Sequence, residues 1–100
     1  MAMHTIEDIR RTVCSLNEEY GVHRVVLFGS YARGQQGKTS DVDLYIVAGA
    51  VDFLRVCAFG YDLKANLKIG IDIVIEEYMN ISADLMADIQ NDGVILYEKE

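Results

Sequence analysis

Two segments in the first half of the chain decide its fold: VVLFGSYARG at residues 25–34 and SDVDLYIV at residues 40–47. The first begins with four apolar residues and stops at Gly29, which predicts a buried strand that runs into a loop. In the second, acidic or tyrosine side chains alternate with Val42, Leu44 and Ile46, which predicts a second strand. Three glycines lie between these strands, so we expect a loop over Gly29–Ser40 with one helical turn near Ser30–Arg33.

Helical and strand patterns continue on both sides of this pair. The predicted helices are Thr5–Tyr20, Val51–Leu67 (with Gly60 as a candidate break) and Ser82–Gln90. The predicted strands are His23–Phe28, Asp41–Val47, Lys68–Ile75 and Val94–Tyr97. The order α-β-β-α-β-α-β predicts an α/β (α+β) fold, in which a small mixed sheet carries helices mainly on one face and exposes carboxylates on the other.

Length and charge limit the kind of protein this is. One hundred residues, 51% of them apolar, predict one domain over residues 1–100 with no room for a second folded unit. The formal net charge of −7 argues against direct binding of nucleic acid, which needs clustered Lys and Arg. This charge is compatible with binding of a nucleotide through a bridging metal ion.

Nothing in the sequence indicates a membrane or a secretory route. No apolar run approaches the roughly 18 residues of a membrane span, and Met1–Asp8 lacks the pattern of a signal peptide. Cys14 and Cys57 are expected to be buried thiols, with a disulfide as the alternative. We therefore expect a cytoplasmic protein. The acidic clusters Glu18-Glu19, Glu76-Glu77 and Glu98–Glu100 are expected to be solvated.

Two short motifs could carry chemistry. Gly29-Ser30 follows a buried strand, where the backbone amides and the Ser30 hydroxyl can donate to phosphate oxygens; an ordinary turn is the alternative. Asp41 and Asp43 are two apart on a strand, so their carboxylates share one face and repel unless a divalent cation relieves them. Mg²⁺ prefers one or two carboxylates together with phosphate oxygens and water. The alternative for this pair is two solvated aspartates at the end of a strand.

Asp72 is the third candidate. It interrupts the apolar run Ile71–Ile75 and points away from Ile71 and Ile73, because successive side chains on a strand alternate. Burial of a carboxylate in such a run is costly without a cation or hydrogen bonds, although Asp72 could simply face solvent. If its strand lies beside that of Asp43, three carboxylates and a phosphate-binding loop form a two-metal phosphoryl-transfer site.

The combined pattern resembles a known family. Gly29-Ser30, ten residues, and Asp41-Val42-Asp43 are similar to the signature of the DNA polymerase beta-like nucleotidyltransferases, in particular the minimal nucleotidyltransferase group. The similarity extends through residues 71–74 to the closing 93–98. It implies that Gly29, Ser30 and Arg33 bind the nucleotide, with Arg33 either on a phosphate or bracing the loop. It also implies that Asp41, Asp43 and Asp72 are catalytic metal ligands for Mg²⁺ or Mn²⁺, with ATP as co-substrate.

A competing motif occupies the same loop. Residues 32–39, ARGQQGKT, satisfy a relaxed P-loop pattern. A P-loop needs a helix that begins at its Lys-Thr pair, whereas the residues that follow Thr39 predict a strand. We therefore expect Lys38 to be a solvated lysine near the nucleotide.

The resemblance also implies an acceptor. Minimal nucleotidyltransferases commonly act as antitoxins that transfer AMP to a tyrosine of a HEPN toxin, so a HEPN-type partner is expected. Apolar residues cover more than one face of Val51–Tyr61, which indicates either a partner surface or a wholly buried helix. Two rival functions remain: a catalytically silent antitoxin that acts by contact alone, and a transferase for a small molecule. The intact aspartates favour an enzyme over a silent antitoxin, and the absence of a second domain disfavours a transferase for a small molecule.

Overall fold

The computed structural model describes residues 4–35, 37 and 41–99. Its helices are α1 (Ile6–Tyr20), α2 (Gly29–Ala32), α3 (Phe53–Leu67) and α4 (Ala83–Asp92). Its strands are β1 (Arg24–Phe28), β2 (Val42–Val47), β3 (Ile71–Ile75) and β4 (Val94–Glu98). Side chains of Thr5, Asp52 and Ser82 cap the starts of α1, α3 and α4 by accepting a backbone N–H three residues on.

The four strands form one mixed sheet in the order β3-β2-β1-β4. β1 pairs antiparallel with β2 and with β4, whereas β2 pairs parallel with β3. A parallel pair needs a long crossover connection, and α3 supplies it. The predicted α/β class with a small mixed sheet is confirmed.

Helices cover the two faces of the sheet unequally. The 15-residue helices α1 and α3 pack on the face that presents Val42, Leu44 and Ile46, where the main hydrophobic core lies. The shorter α4 packs on the other face, and its Ile89 lies in a smaller cluster with Phe28 and Tyr45. Because side chains alternate along β2, Asp43 lies on the α4 side of the sheet.

Several elements differ from the sequence-based expectation, most of them by one or two residues at an end. α3 is unbroken at Gly60, which lies against Ile73. β3 begins at Ile71 and not at Lys68, because Lys68 takes a left-handed backbone conformation (φ 56°) that ends α3. α4 continues to Asp92, two residues beyond the expected end at Gln90.

The structure also tests the predictions about the two cysteines and about a membrane-spanning segment. Cys14 and Cys57 are free thiols, so the disulfide alternative is wrong, and each is half-buried where full burial was expected. No helix within the described ranges has the length and apolar character needed to cross a membrane.

Candidate active site

Three strand ends meet at one end of the sheet and bring the candidate residues together. Asp43, the second residue of β2, pairs with Asp72, the second residue of β3, in the parallel register. On its other side Asp43 pairs with Phe28, the last residue of β1. Side chains at paired positions project from the same face of a sheet. Asp72 therefore lies beside Asp43, as expected if their strands were neighbours.

Gly29 fits against the Asp43 carboxylate. It has a left-handed backbone conformation (φ 76°), and a Cβ built there would overlap the carboxylate, so a larger residue cannot take this place. α2 begins at Gly29 and is anchored by Tyr31, which is buried in the core. The Ser30 hydroxyl has no hydrogen-bond partner within residues 4–35, 37 and 41–99. The Gly29-Ser30 backbone thus borders the carboxylates directly.

Asp41 is held against a second glycine that the sequence did not single out. A Cβ at Gly70 would overlap the Asp41 carboxylate, and the Val42 N–H donates a hydrogen bond to the Gly70 carbonyl (2.8 Å). Gly70 precedes β3, so this contact joins the start of β2 to the start of β3. A glycine inside the expected strand Lys68–Ile75, two residues before Asp72, was the available signal, but only the parallel register shows which side chain it accommodates.

The carboxylates of the site crowd one another. Burial raises the pKa of Asp43, and the neighbouring charges of Asp72 and Asp41 raise it further, with Arg33 opposing them. Among the described side chains, no Lys or Arg forms an ion pair with these aspartates. Nor is any group of three or more His, Cys, Asp and Glu in that part of the chain placed to hold a metal ion by itself. Mg²⁺ needs only one or two carboxylates besides phosphate oxygens and water, so the donors present fit it.

Arg33 lies at the end of the loop helix. Its Nε donates to Oε1 of Gln35 (3.1 Å), which braces the loop, and its charge lowers the pKa of Asp43. Both expected roles of Arg33 are compatible with this exposed position, and a phosphate contact stays a prediction.

The P-loop alternative does not agree with the structure. Lys38 and Thr39 lie outside the described residues, but residues 42–47, where the P-loop helix would run, form β2. The only helix of this loop region within the described residues is α2, which begins before the motif at Gly29. A phosphate site of the P-loop kind therefore has no helix to build on.

Comparison with known proteins places the chain in a family. Residues 11–100 match the family described as polymerase beta, nucleotidyltransferase. A Methanocaldococcus jannaschii relative, named as a proposed protein adenylyltransferase, is 32% identical over 90 residues, covering 89% of this chain and 95% of its own. Protein adenylyltransferase MntA of Thermococcus cleftensis is 31% identical over 84 residues, covering 76% and 82%.

A solved structure has the same fold. It is the complex of a tri-AMPylated Shewanella oneidensis HEPN toxin with MNT antitoxin, and the match has a TM-score of 0.69 at 18% identity. It covers 95% of this chain and 74% of the other.

The chain belongs to the polymerase beta nucleotidyltransferase family, and it is a nucleotidyltransferase. The resemblance to the minimal nucleotidyltransferase group is confirmed.

Proposed function

We propose that this chain transfers AMP from ATP to a hydroxyl group, a tyrosine in particular, of a HEPN-type toxin and thereby acts as its antitoxin. The observation that carries the proposal is the parallel pairing of Asp43 with Asp72, with the Gly29 backbone against the Asp43 carboxylate. This arrangement supplies metal ligands, a phosphate-binding backbone and a second carboxylate on one small surface. Two relatives named for protein adenylylation and a structural neighbour that contains a HEPN toxin support the choice of acceptor.

Different residues of the site contribute to different parts of an in-line displacement at phosphorus. The acceptor oxygen bonds to the α-phosphorus of ATP while the bond from that phosphorus to the leaving oxygen breaks, and pyrophosphate departs. The amides of Gly29 and Ser30 and the Ser30 hydroxyl hold the phosphates on the β1 side of the site. Asp72, on the β3 side, accepts the proton of the attacking hydroxyl.

A divalent cation completes this assignment. Asp41, Asp43 and Asp72 would hold Mg²⁺ or Mn²⁺, which when bound stabilises the charge that develops on the attacking and leaving oxygens. The raised pKa of Asp43 reflects burial and crowding by its neighbours, and a cation relieves that repulsion. Gly29 and Gly70, which have no side chain, leave the space that the carboxylates of Asp43 and Asp41 occupy.

The test uses position-specific label. The purified protein is incubated with Mg²⁺, a purified HEPN toxin and ATP labelled on the α- or on the γ-phosphate. We expect label on the toxin from α-labelled ATP only, and a mass increase of one or more AMP units on a tyrosine peptide. An Asp43→Asn protein with an unchanged far-UV spectrum is the matched control. Labelling from γ-ATP, or equal labelling by the control, would contradict the proposal.

A further inference from the structure

Exposed apolar residues are concentrated along one edge of the molecule. Six large hydrophobic residues in the described part of the chain are substantially exposed, and five of them lie on α3 or just after β3. These five define the β3-edge surface: Phe53 (40% exposed), Leu54 (77%), Tyr61 (72%), Tyr78 (47%) and Met79 (37%). Such clustering is typical of an interaction site and not of scattered surface residues.

Side-chain contacts hold together the part of the β3-edge surface that lies around Phe53, Tyr78 and Met79. The rings of Phe53 and Tyr78 meet edge to face with centroids 5.6 Å apart, which joins α3 to the turn after β3. Met79 is fixed by a hydrogen bond that its sulfur accepts from the Ile75 N–H (3.4 Å). β3 is the outer strand of the sheet, so no further strand in the described part of the chain covers this side.

The β3-edge surface leads into a groove at the active site. A cavity of about 470 Å³ is lined by Tyr61, Lys64, Ala65, Lys68, Ile69 and Gly70. Tyr61 belongs to both the surface and the groove. Gly70 lies against Asp41, so the groove reaches the end of the sheet at which β2 and β3 begin.

The groove carries positive charge in an acidic protein. Lys64 and Lys68 form no ion pair with any residue in ranges 4–35, 37 and 41–99, whereas Arg10, Arg11 and Arg24 are each paired with an acid. The chain as a whole has a net charge of −7. Lys68 also occupies the left-handed position at the end of α3, where glycine is the usual residue. The two free ammonium groups are suited to an anionic ligand.

The geometry of an in-line displacement indicates which ligand occupies the groove. In an in-line displacement the attacking and leaving oxygens lie on opposite sides of the phosphorus. The proposed function has Gly29 and Ser30 hold the phosphates at the end of β1, and β3 lies on the other side of Asp43, so in that mechanism the acceptor approaches from the side of β3. We propose that the acceptor protein docks on the β3-edge surface and places an acidic segment in the groove between Lys64 and Lys68. This inference rests on the proposed function, because it presumes a protein acceptor.

A first experiment separates docking from chemistry. Leu54→Asp and Tyr61→Asp put a charge on the β3-edge surface, and Ile95→Asp is the matched control, since Ile95 is 49% exposed on β4 at the opposite edge. We expect both surface variants to raise the KM for the HEPN toxin at least tenfold with kcat for bound toxin retained. Stabilisation by ATP with Mg²⁺ should be unchanged, and the control should behave as the wild type.

The outcomes of this experiment are distinct. If the wild type transfers nothing to the toxin, the proposed function fails and the docking inference fails with it. If the wild type labels the toxin and the surface variants have the same KM for the toxin as the wild type, only the docking inference is overturned. If light scattering shows that Leu54→Asp turns a wild-type dimer into a monomer, a second copy of this chain occupies the surface, and the inference is again wrong.

A second experiment probes the groove with defined acceptors. Short tyrosine peptides flanked by Glu or by Lys are compared in Mg²⁺, ATP and low salt. We expect the wild type to prefer the acidic peptide about tenfold, an advantage that salt should reduce. Lys64→Glu with Lys68→Glu should reverse the preference, while Lys99→Glu, beyond β4, should not. Equal preference in the charge-reversed protein and the wild type contradicts an acidic ligand in the groove.

Discussion

The Asp41 carboxylate lies so close to Gly70 that a single added carbon at position 70 would overlap it. This contact crosses from the residue before β2 to the residue before β3. The absence of a side chain at Gly70 leaves the space that the carboxylate of a proposed metal ligand occupies.

Gly70→Ala should therefore impair catalysis more than folding. Asp41 is short and has to rotate or shift to accommodate the methyl group, and a displacement of about 1 Å can reduce a rate about a hundredfold. We expect a loss of that order in AMP transfer, with a small change in melting temperature. Gly60→Ala is the control, since its Cβ would make ordinary contacts with Ile73 (3.4 Å). A helical alanine there should stabilise the fold by about 0.5–1 kcal/mol and keep activity.

Binding of ATP should depend on the cation. The aspartates are an incomplete set of ligands until phosphate oxygens join them. ATP with Mg²⁺ or Mn²⁺ should raise the melting temperature, by the equivalent of about 2.7 kcal/mol at a ligand concentration a hundred times Kd. ATP in excess chelator should have no such effect, nor should ATP with Mg²⁺ on the Asp43→Asn protein. Equal stabilisation in chelator would falsify the proposed site.

Asp72→Asn distinguishes an enzyme from an antitoxin that acts by contact alone. The change preserves shape but removes the proposed proton acceptor, so transfer to the toxin should fall about a hundredfold or more. Affinity for the toxin and for ATP with Mg²⁺ should fall only slightly. In cells that produce the toxin, this variant at normal level should fail to protect. Full protection by an inactive Asp72→Asn protein would favour neutralisation by contact.

Glu77 should contribute to stability in a way that depends on pH. Burial raises its pKa, but hydrogen bonds from the backbone N–H groups of Ala48 and Gly49 (2.9 Å each) outweigh this and hold it below its ordinary value. Since the pKa is lower in the folded than in the unfolded chain, the contribution is present above the unfolded pKa. It is lost as the pH falls through the folded pKa.

Glu77→Gln should lower the free energy of unfolding at pH 7 by about 1 kcal/mol, a modest value because the side chain is exposed. The difference from the wild type should shrink as the pH falls below 4.5, the ordinary glutamate pKa. Urea titrations at several pH values measure both effects. Glu18→Gln, on the exposed side of α1, is expected to show neither. A difference that grows in acid would show that the sign is wrong.

The sequence predicts the elements of this protein better than their ends. Periodic apolar residues identify α1, α3 and all four strands, because burial acts over many positions. The start of β3 was placed three residues early, since a left-handed Lys68 is not visible in a pattern of apolar residues. Glu77 was expected to be solvated, and its bonds to the turn after β2 depend on strand order.

The same distinction applies to the site. Asp43 and Asp72 could be paired from the sequence only on the condition that their strands are neighbours, and the register now shows it. Gly70 was missed because its role depends on the position of one carboxylate in space. The exposed residues of α3 could not be separated from the buried ones, because Val56, Phe59 and Leu63 face the core while Leu54 and Tyr61 face out on one apolar helix.

The position of β3 at the border of the sheet gives the enzyme a weak point. Within the described residues, the strand that carries Asp72 is hydrogen-bonded to a neighbouring strand, β2, on one side only. The crossover helix α3 connects β2 to it along the chain. Border strands open by local fluctuation at a lower free-energy cost than strands in the centre. Hydrogen exchange should therefore be faster at Ile71–Ile73 than at Val25–Leu27, and mild denaturant should abolish transfer while most of the sheet is still protected. Bound acceptor, by covering that border, would close this route to inactivation.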